Sequence, residues 1–521
     1  MAVAVPDLRE LPFPGFAGGI NLRDQPTQVD PAQAVDLLNV TFTDRGGVRS
    51  RDGYARFTAA SLTNRPDSLG AYYTSGGTAH LVVGNAGRLD ALNTLGASVA
   101  NTTATASPHF FARFGSPTAE LLFISNGTDP LRQWNGTAFS TPTFTGTTPT
   151  GRYLAVTPWD NRLVNARYAG TAAGNNPSTV RFSDPGVPTT FAANNYVDLT
   201  PGDGEAIQGV VSWLNYVLVF KETKFFVFAG TSTSATGTPI FPYRPVDNRV
   251  GLSAPRAVTA ARDGVYFVGQ RGVYRTQGTT VELVSQLLDP FFYGNPPDSF
   301  RLSQTLNQSA IQSAVIAVHR EQVYVAVPTG TSTTNNRMLV FDPRYGWWSI
   351  YDIPAAAMVM FKAVALSDLM FAYAVGTNDV GRHAVGQTTD AGATIPSRCR
   401  YGWWDGGQTG LKMARESLVW GKGRVQFGVR TDFGVTANTQ NMDFGAAVDL
   451  WADGTNSADT WGDGSNPSET WGAGVSITPR LNRQAWRGTM MSMELSNVDA
   501  TPWAVHRVTH HLMPINPGRL Y

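Results

Sequence analysis

Three histidines stand close together near the C-terminal end of the chain, His506, His510 and His511. Strand side chains alternate between faces, so on a strand His506 and His510 share a face and His511 opposes them. Such a set makes a poor tetrahedral metal site unless ligands arrive from elsewhere. Two acids, Asp203 and Glu205, sit in Pro201-Gly202-Asp203-Gly204-Glu205. They would serve glycoside hydrolysis only at a suitable carboxyl separation, and the glycine-rich setting reads equally as a turn. Asp453-Gly454 and Asp463-Gly464 could offer oxygen ligands to Ca²⁺, although Asp-Gly is itself a strong turn former. The sequence carries no G-x-S-x-G elbow, P-loop, HExxH or CxxC pair. The single cysteine, Cys399, cannot form an intramolecular disulfide and reads as a buried small apolar residue. No catalytic residue, metal site or cofactor is therefore expected, and the chain reads as a protein that is not an enzyme.

Tryptophans form a more regular pattern. Leu450-Trp451-Ala452-Asp453-Gly454, Thr460-Trp461-Gly462-Asp463-Gly464 and Thr470-Trp471-Gly472-Ala473-Gly474 repeat every ten residues. Short strands and turns would set Trp451, Trp461 and Trp471 on one side as an aromatic ladder. Such a ladder either packs a protrusion or forms a contact surface.

The elements that must position these residues are strands. Charged residues make up 15% of the chain, against roughly 25% in an ordinary soluble protein, so Thr, Ser, Asn and Gln supply most of the polar surface. The lysines are Lys221, Lys224, Lys362, Lys412 and Lys422, and arginine carries nearly all the remaining positive charge. A net charge of +1 draws the whole chain onto no polyanion. No run of apolar residues is long enough for a transmembrane helix, and the first residues lack the basic and apolar regions of a secretory signal.

From about residue 65 to 385, short β-branched and aromatic runs recur, each followed by a polar turn and a second short strand. Their apolar centres fall near 81, 121, 163, 217, 265, 323 and 369, spaced by about 40 to 58 residues, the period of a four-stranded propeller blade with variable loops. One small sheet cannot bury both faces, so such sheets stack around an axis until the last meets the first. The alternative is two consecutive sandwiches. The expected architecture is all-β: an N-terminal arm over 1–64 with a short helix after Asp30-Pro31 and the first strands, an irregular β-propeller over 65–389, and a C-terminal β-rich, sandwich-like domain over 390–521, with room for the arm to share strands with either. Tyr401 to Thr431 and Met490 to Leu512 carry the alternation expected of sandwich strands.

The opening stretches Phe16-Ala17-Gly18-Gly19-Ile20-Asn21, Val35-Asp36-Leu37-Leu38-Asn39-Val40 and Gly46 to Tyr54 resemble the start of tail or neck structural proteins of tailed bacteriophages. The middle resembles the nozzle (tail tubular) proteins of short-tailed phages. The residues concerned include Trp159-Asp160-Asn161-Arg162-Leu163, Val180 to Gly186, Asn195 to Leu199, Gly202-Asp203-Gly204-Glu205-Ala206-Ile207, Leu218-Val219-Phe220-Lys221, Gly251 to Val258, and Gly264 to Phe267 with Gly272 to Tyr274. The resemblance implies a virion protein of the tail, assembled as a homo-hexamer below an adaptor ring. It would line the distal channel for double-stranded DNA without reading its sequence, beside docked fibres or spikes. A wall rich in Thr, Ser and Asn suits that task, because clustered arginines would grip the phosphates.

Long polar loops are then candidates for a gate: 170–178 with Asn175 and Asn176, 231–238 with Thr231 and Thr233, and 329–336 with Thr331 and Asn335. The ordinary reading of such loops is exposed strand connections. Two competing functions are a carbohydrate- or receptor-binding tail protein, in which Trp451, Trp461 and Trp471 stack on sugars, and a polysaccharide depolymerase.

Overall fold

The computed structural model describes residues 9–43, 45–116, 119–146, 153–156, 161–167, 176–233, 239–246, 249–294, 305–363, 366–383, 386–407, 410–432, 438–444, 478–482 and 486–514. The fold is all-β; among the described residues helix is confined to short 3₁₀ and α turns such as Gln286–Leu288, Asp289–Phe292 and Gln308–Ser313. The chain divides into two compact units, one of residues 52–392 and one of 1–51 with 393–521. The stretch 1–64 is thereby shared between them.

Unit 52–392 consists mainly of seven four-stranded antiparallel sheets. Sheet 1 is Ser68–Tyr73, Ala79–Asn85, Arg88–Leu92 and Ser98–Thr103. Sheet 2 is Phe110–Ser116, Ala119–Ser125, Arg132–Trp134 and Phe139–Ser140, and sheet 3 is Tyr153–Val156, Leu163–Ala166, Thr179–Phe182 and Tyr196–Asp198. Sheet 4 is Gly209–Trp213, Tyr216–Phe220, Phe225–Ala229 and Tyr243–Val246; sheet 5 is Val258–Ala261, Gly264–Gly269, Gly272–Thr276 and Val281–Leu283. Sheet 6 is Val315–His319, Gln322–Val327, Arg337–Asp342 and Trp347–Tyr351. Sheet 7 is Ala355–Ala363, Leu366–Tyr373 and Val380–His383, completed by Tyr54–Arg56 from the start of the unit. Each of the seven apolar centres read from the sequence falls in the second strand of one sheet.

The first strands approach one another in cyclic order, from sheet 1 through sheet 7 and back to sheet 1. The result is a curled arrangement reminiscent of a propeller. Its core is a series of layers between neighbouring sheets. In the second strand of sheet 4, Val217 and Val219 pack with Val180, Phe182 and Leu199 of the sheet 3 segment, while Leu218 and Phe220 pack with Val265 and Phe267 of sheet 5. Leu81 and Val83 likewise face Met370 and Ala372 of sheet 7, whereas Val82 faces Leu122 and Ile124 of sheet 2. Alternate side chains thus enter opposite layers, and a strand buried on both faces must be apolar at every position.

Polar ties join the sheets at their rims. Lys362 N donates to the Tyr73 hydroxyl at 2.7 Å, joining sheets 7 and 1, and Ser75 N donates to Glu120 Oε1 at 2.7 Å, joining sheets 1 and 2. Trp213 Nε1 donates to the carbonyl of Ala261 at 2.8 Å, and His319 Nε2 to that of Ser367 at 2.9 Å.

The closing strand pairs Tyr54 with His383, Ala55 with Arg382 and Arg56 with Gly381. His383 Nδ1 donates to the carbonyl of Gly53 at 3.0 Å, and Arg56 pairs with Asp379 at 3.1 Å. A Cβ on Gly53 would lie 2.1 Å from the carbonyl oxygen of Thr389, so only glycine lets the chain pass here.

The other unit holds a seven-stranded and a five-stranded sheet. The long strands Lys412–Lys422 and Ala504–Pro514 pair in the first, and Arg424–Thr431 pairs with Met491–Asn497 in the second. Trp503 is buried and donates from Nε1 to Ser397 Oγ at 2.8 Å. The helix expected after Asp30-Pro31 is corrected here. Asp30 does organise a local turn, its carboxylate accepting from Ala32 N at 2.8 Å. The chain then runs as the strand Ala34–Leu38, buried at every position and paired with Arg398–Tyr401. A partner more than 350 positions away overrides the local helical signal.

Gly53→Val should push the closing strand off its partner. We expect a loss of about 1–3 kcal/mol, read as a lower midpoint in thermal or urea unfolding followed by circular dichroism.

Candidate functional site

Two features of unit 52–392 gather polar side chains: a buried knot where sheets 3 and 4 meet, and the cavity on the ring's axis.

The knot is centred on Lys221, which follows the second strand of sheet 4 and is fully buried. Its Nζ donates to Asp203 Oδ2 at 2.8 Å and Oδ1 at 2.9 Å, to Ser178 Oγ at 3.0 Å, and to the carbonyl and hydroxyl of Thr200 at 3.3 and 3.2 Å. Lys224 pairs with the same Asp203 carboxylate at 3.0 Å. Burial opposes ionisation of Asp203, but the bonds from Lys221, Thr200, the Glu205 amide and Lys224 outweigh it and hold the carboxyl well below the usual range. Glu205 is engaged beside it, Thr223 donating to its carboxylate through both backbone and hydroxyl. The connection after sheet 4 closes the knot: Leu252 N donates to the carbonyl of Lys221 at 2.9 Å, and a Cβ on Gly251 would lie 2.4 Å from that oxygen. Asp203 and Glu205, weighed above as a carboxylate pair for hydrolysis, are thus both engaged by this joint.

The axial cavity has a volume of about 1080 Å³ and is lined by first strands of sheets 1, 2, 4, 5, 6 and 7. Apolar side chains such as Leu69, Val210, Val315 and Val359 form much of its wall. Arg113, Glu120, Arg256 and Lys362 are the lysine, arginine and acidic side chains among its described lining residues.

The gate candidates do not gather at one place. Asn176 and Asn335 lie in connections between second and third strands, of sheets 3 and 6. Thr231 and Thr233 lie between the third and fourth strands of sheet 4, at the opposite end of the antiparallel array. Asn335 is buried and donates from Nδ2 to the carbonyls of Ser313 and Ala355, both at 2.8 Å, which ties sheet 6 to sheet 7. Asn176 donates to Asp198 Oδ1 at 3.0 Å. Thr331 is exposed. Asn175, Trp451, Trp461, Trp471, Asp453 and Asp463 lie outside the described residues.

In the other unit the three histidines do not converge. His510 is buried against Ser417 Oγ at 2.7 Å, and burial together with neighbouring His511 pushes its pKa down to about 4. His511 bonds Glu416 through Nδ1 at 2.8 Å. No group of three metal-ligating side chains occurs among the described residues. Cys399 is buried, and burial drives its thiol well above its ordinary pKa. The Lys221 knot went unread in the sequence; the signal was available in the rarity of lysine, since a lysine closing the run Leu218-Val219-Phe220 needs a carboxylate partner.

No protein-family model matches the chain, and no curated protein matches it. Among solved structures, the chain is similar to the β-propeller domain of Cps50 (Swd1) from Myceliophteria thermophila, at 8% identity and a TM-score of 0.40, over 63% of this chain and 98% of that one. It is also similar to a streptogramin B lyase, at 10% identity and a TM-score of 0.34, over 63% and 96% of the two chains.

Asp203→Asn leaves Lys221 buried without its counter-charge and should cost about 3–5 kcal/mol in urea unfolding. Adding Lys221→Met should restore part of that loss. In the unmodified protein the folded pKa of Asp203 lies below its unfolded value of roughly 3.9. Its contribution is therefore complete at neutral pH and is lost as pH falls below about 4. The Asp203→Asn variant should lack that part of the acid dependence.

Proposed function

We propose that the chain is a structural protein of a short-tailed phage tail, a nozzle or related tubular hub that conducts and retains DNA and carries docked fibres. In this reading unit 52–392 is an irregular seven-bladed β-propeller and unit 1–51 with 393–521 a sandwich-like domain. Subunits assemble as a homo-hexamer against an adaptor ring, in the tail of the virion, and no bond is made or broken.

One observation carries the reading. Stretches through which the chain resembles nozzle proteins are spent on joining and bracing blades. Asp203 and Glu205, Lys221 at the end of Leu218-Val219-Phe220-Lys221, and Gly251-Leu252 meet in the single knot between sheets 3 and 4. Further stretches brace sheet 3 itself: Asp184 accepts from Asn195 Nδ2 at 2.6 Å, and Arg162 donates to the carbonyl of Ser183 at 2.6 Å. Residues of this kind stiffen a ring. They suit a part that carries mechanical load while DNA moves past it, and they leave the Asp203–Glu205 pair no freedom for acid–base work.

Native mass measurement and negative-stain imaging of the purified chain, alone and mixed with the adaptor of its own virus, test the proposal. We expect a ring of about six copies, by the resemblance and the closure rule for cyclic assemblies, and no release of reducing ends from capsular polysaccharide. A chain that stays monomeric in the assembled tail would overturn the reading, as would polysaccharide cleavage that an Asp or Glu substitution removes.

A further inference from the structure

The axial cavity of unit 52–392 holds groups that the knot and the rim ties do not use. At one end the Arg256 guanidinium, from the lead-in to sheet 5, donates to the carbonyl of Asp67, at the lead-in to sheet 1. Sheets 5 and 1 are separated in the ring by sheets 6 and 7, so this side chain spans that end of the cavity and forms a floor. The other end carries two exposed cations beside one phenol. Arg113 lies over the ring of Tyr73, 4.9 Å from its centroid, and the Tyr73 hydroxyl accepts from the backbone N of Lys362. Glu120 is the one carboxylate among the described lining residues, and its Oε1 is held by Ser75 N at 2.7 Å. The lining therefore sets Arg113, Arg256 and Lys362 against one acid.

Between the cationic mouth and the floor the wall is largely apolar, and the volume is that of a site for a small organic molecule. His109 also lines the cavity, but its ring nitrogens are buried away from it, Nδ1 beside Gly84.

We infer that the axial cavity is a binding site for a small organic anion, whose charged group rests between Arg113 and Lys362 and whose apolar body lies along the first strands above the Arg256 floor. The inference does not depend on the tail reading, because it uses only the ring's own axis.

The probe is 8-anilinonaphthalene-1-sulfonate, which combines a fixed negative charge with an apolar body, titrated by fluorescence and calorimetry into the full chain at low salt. We expect saturable binding of one dye per chain, weakened about tenfold by the double variant Arg113→Glu with Lys362→Glu, and weakened by added salt. Lys422→Glu, a charge reversal in the other unit, should leave binding unchanged. Thr259→Trp, which fills the cavity from sheet 5, should abolish it. Absence of saturable binding, or binding that the double reversal leaves unchanged, would overturn the inference. The reversed positions are exposed and lie outside the inter-sheet layers, so that arm decides the question even if Thr259→Trp does not fold.

Discussion

The structure of unit 52–392 depends on one constraint: a four-stranded sheet with two apolar faces cannot stand alone in water. Each sheet sends alternate side chains of one strand into two different layers, as Val217 and Val219 do on one side of sheet 4 and Leu218 and Phe220 on the other. Every sheet therefore needs two neighbours, and a linear stack would leave its terminal faces wet. Cyclic order removes those faces. Completion of sheet 7 by Tyr54–Arg56 adds a non-local clasp that joins the beginning of the unit to its end.

Apolar layers are not directional, so they do not by themselves set how far one sheet slides or turns against the next. Polar joints supply that information. Lys221 with Asp203, Asn335 with the carbonyls of Ser313 and Ala355, and the rim bonds of Tyr73, Trp213 and His319 each link neighbouring sheets, or a sheet to its lead-in, at one defined geometry. Asp203, Glu205 and Asn335, which a functional reading of the sequence singles out, are engaged in this way. Catalysis needs a titratable group free to exchange a proton at working pH; Asp203, held ionised by two lysines, is placed for the opposite purpose.

The strand content, the seven hairpins and their spacing were legible because they rest on short β-branched and aromatic runs and on turn residues, which are local signals. The helix after Asp30-Pro31 was misread because its turn is local and real while the strand that follows is decided by Arg398–Tyr401. The gate loops show the same limit. Their polarity was legible, but Asn335 is polar because it ties two sheets, and a sequence cannot show which polar side chain is already occupied. The cavity-lining set was illegible for a related reason: Arg113, Arg256 and Lys362 come from three separate segments and share no motif.

By itself, the order of residues determined that this chain is built of strands, that its 65–385 stretch repeats as hairpins, and that its charges are too few to coat an ordinary surface. Those properties follow from side-chain chemistry and from contacts within a few residues. Only the tertiary structure decided which segment completes sheet 7, which carboxylate neutralises Lys221, and which side chains face the axis. Each of these pairs residues tens or hundreds of positions apart, and nothing in the local covalent chain distinguishes the partner chosen from the many that could have served.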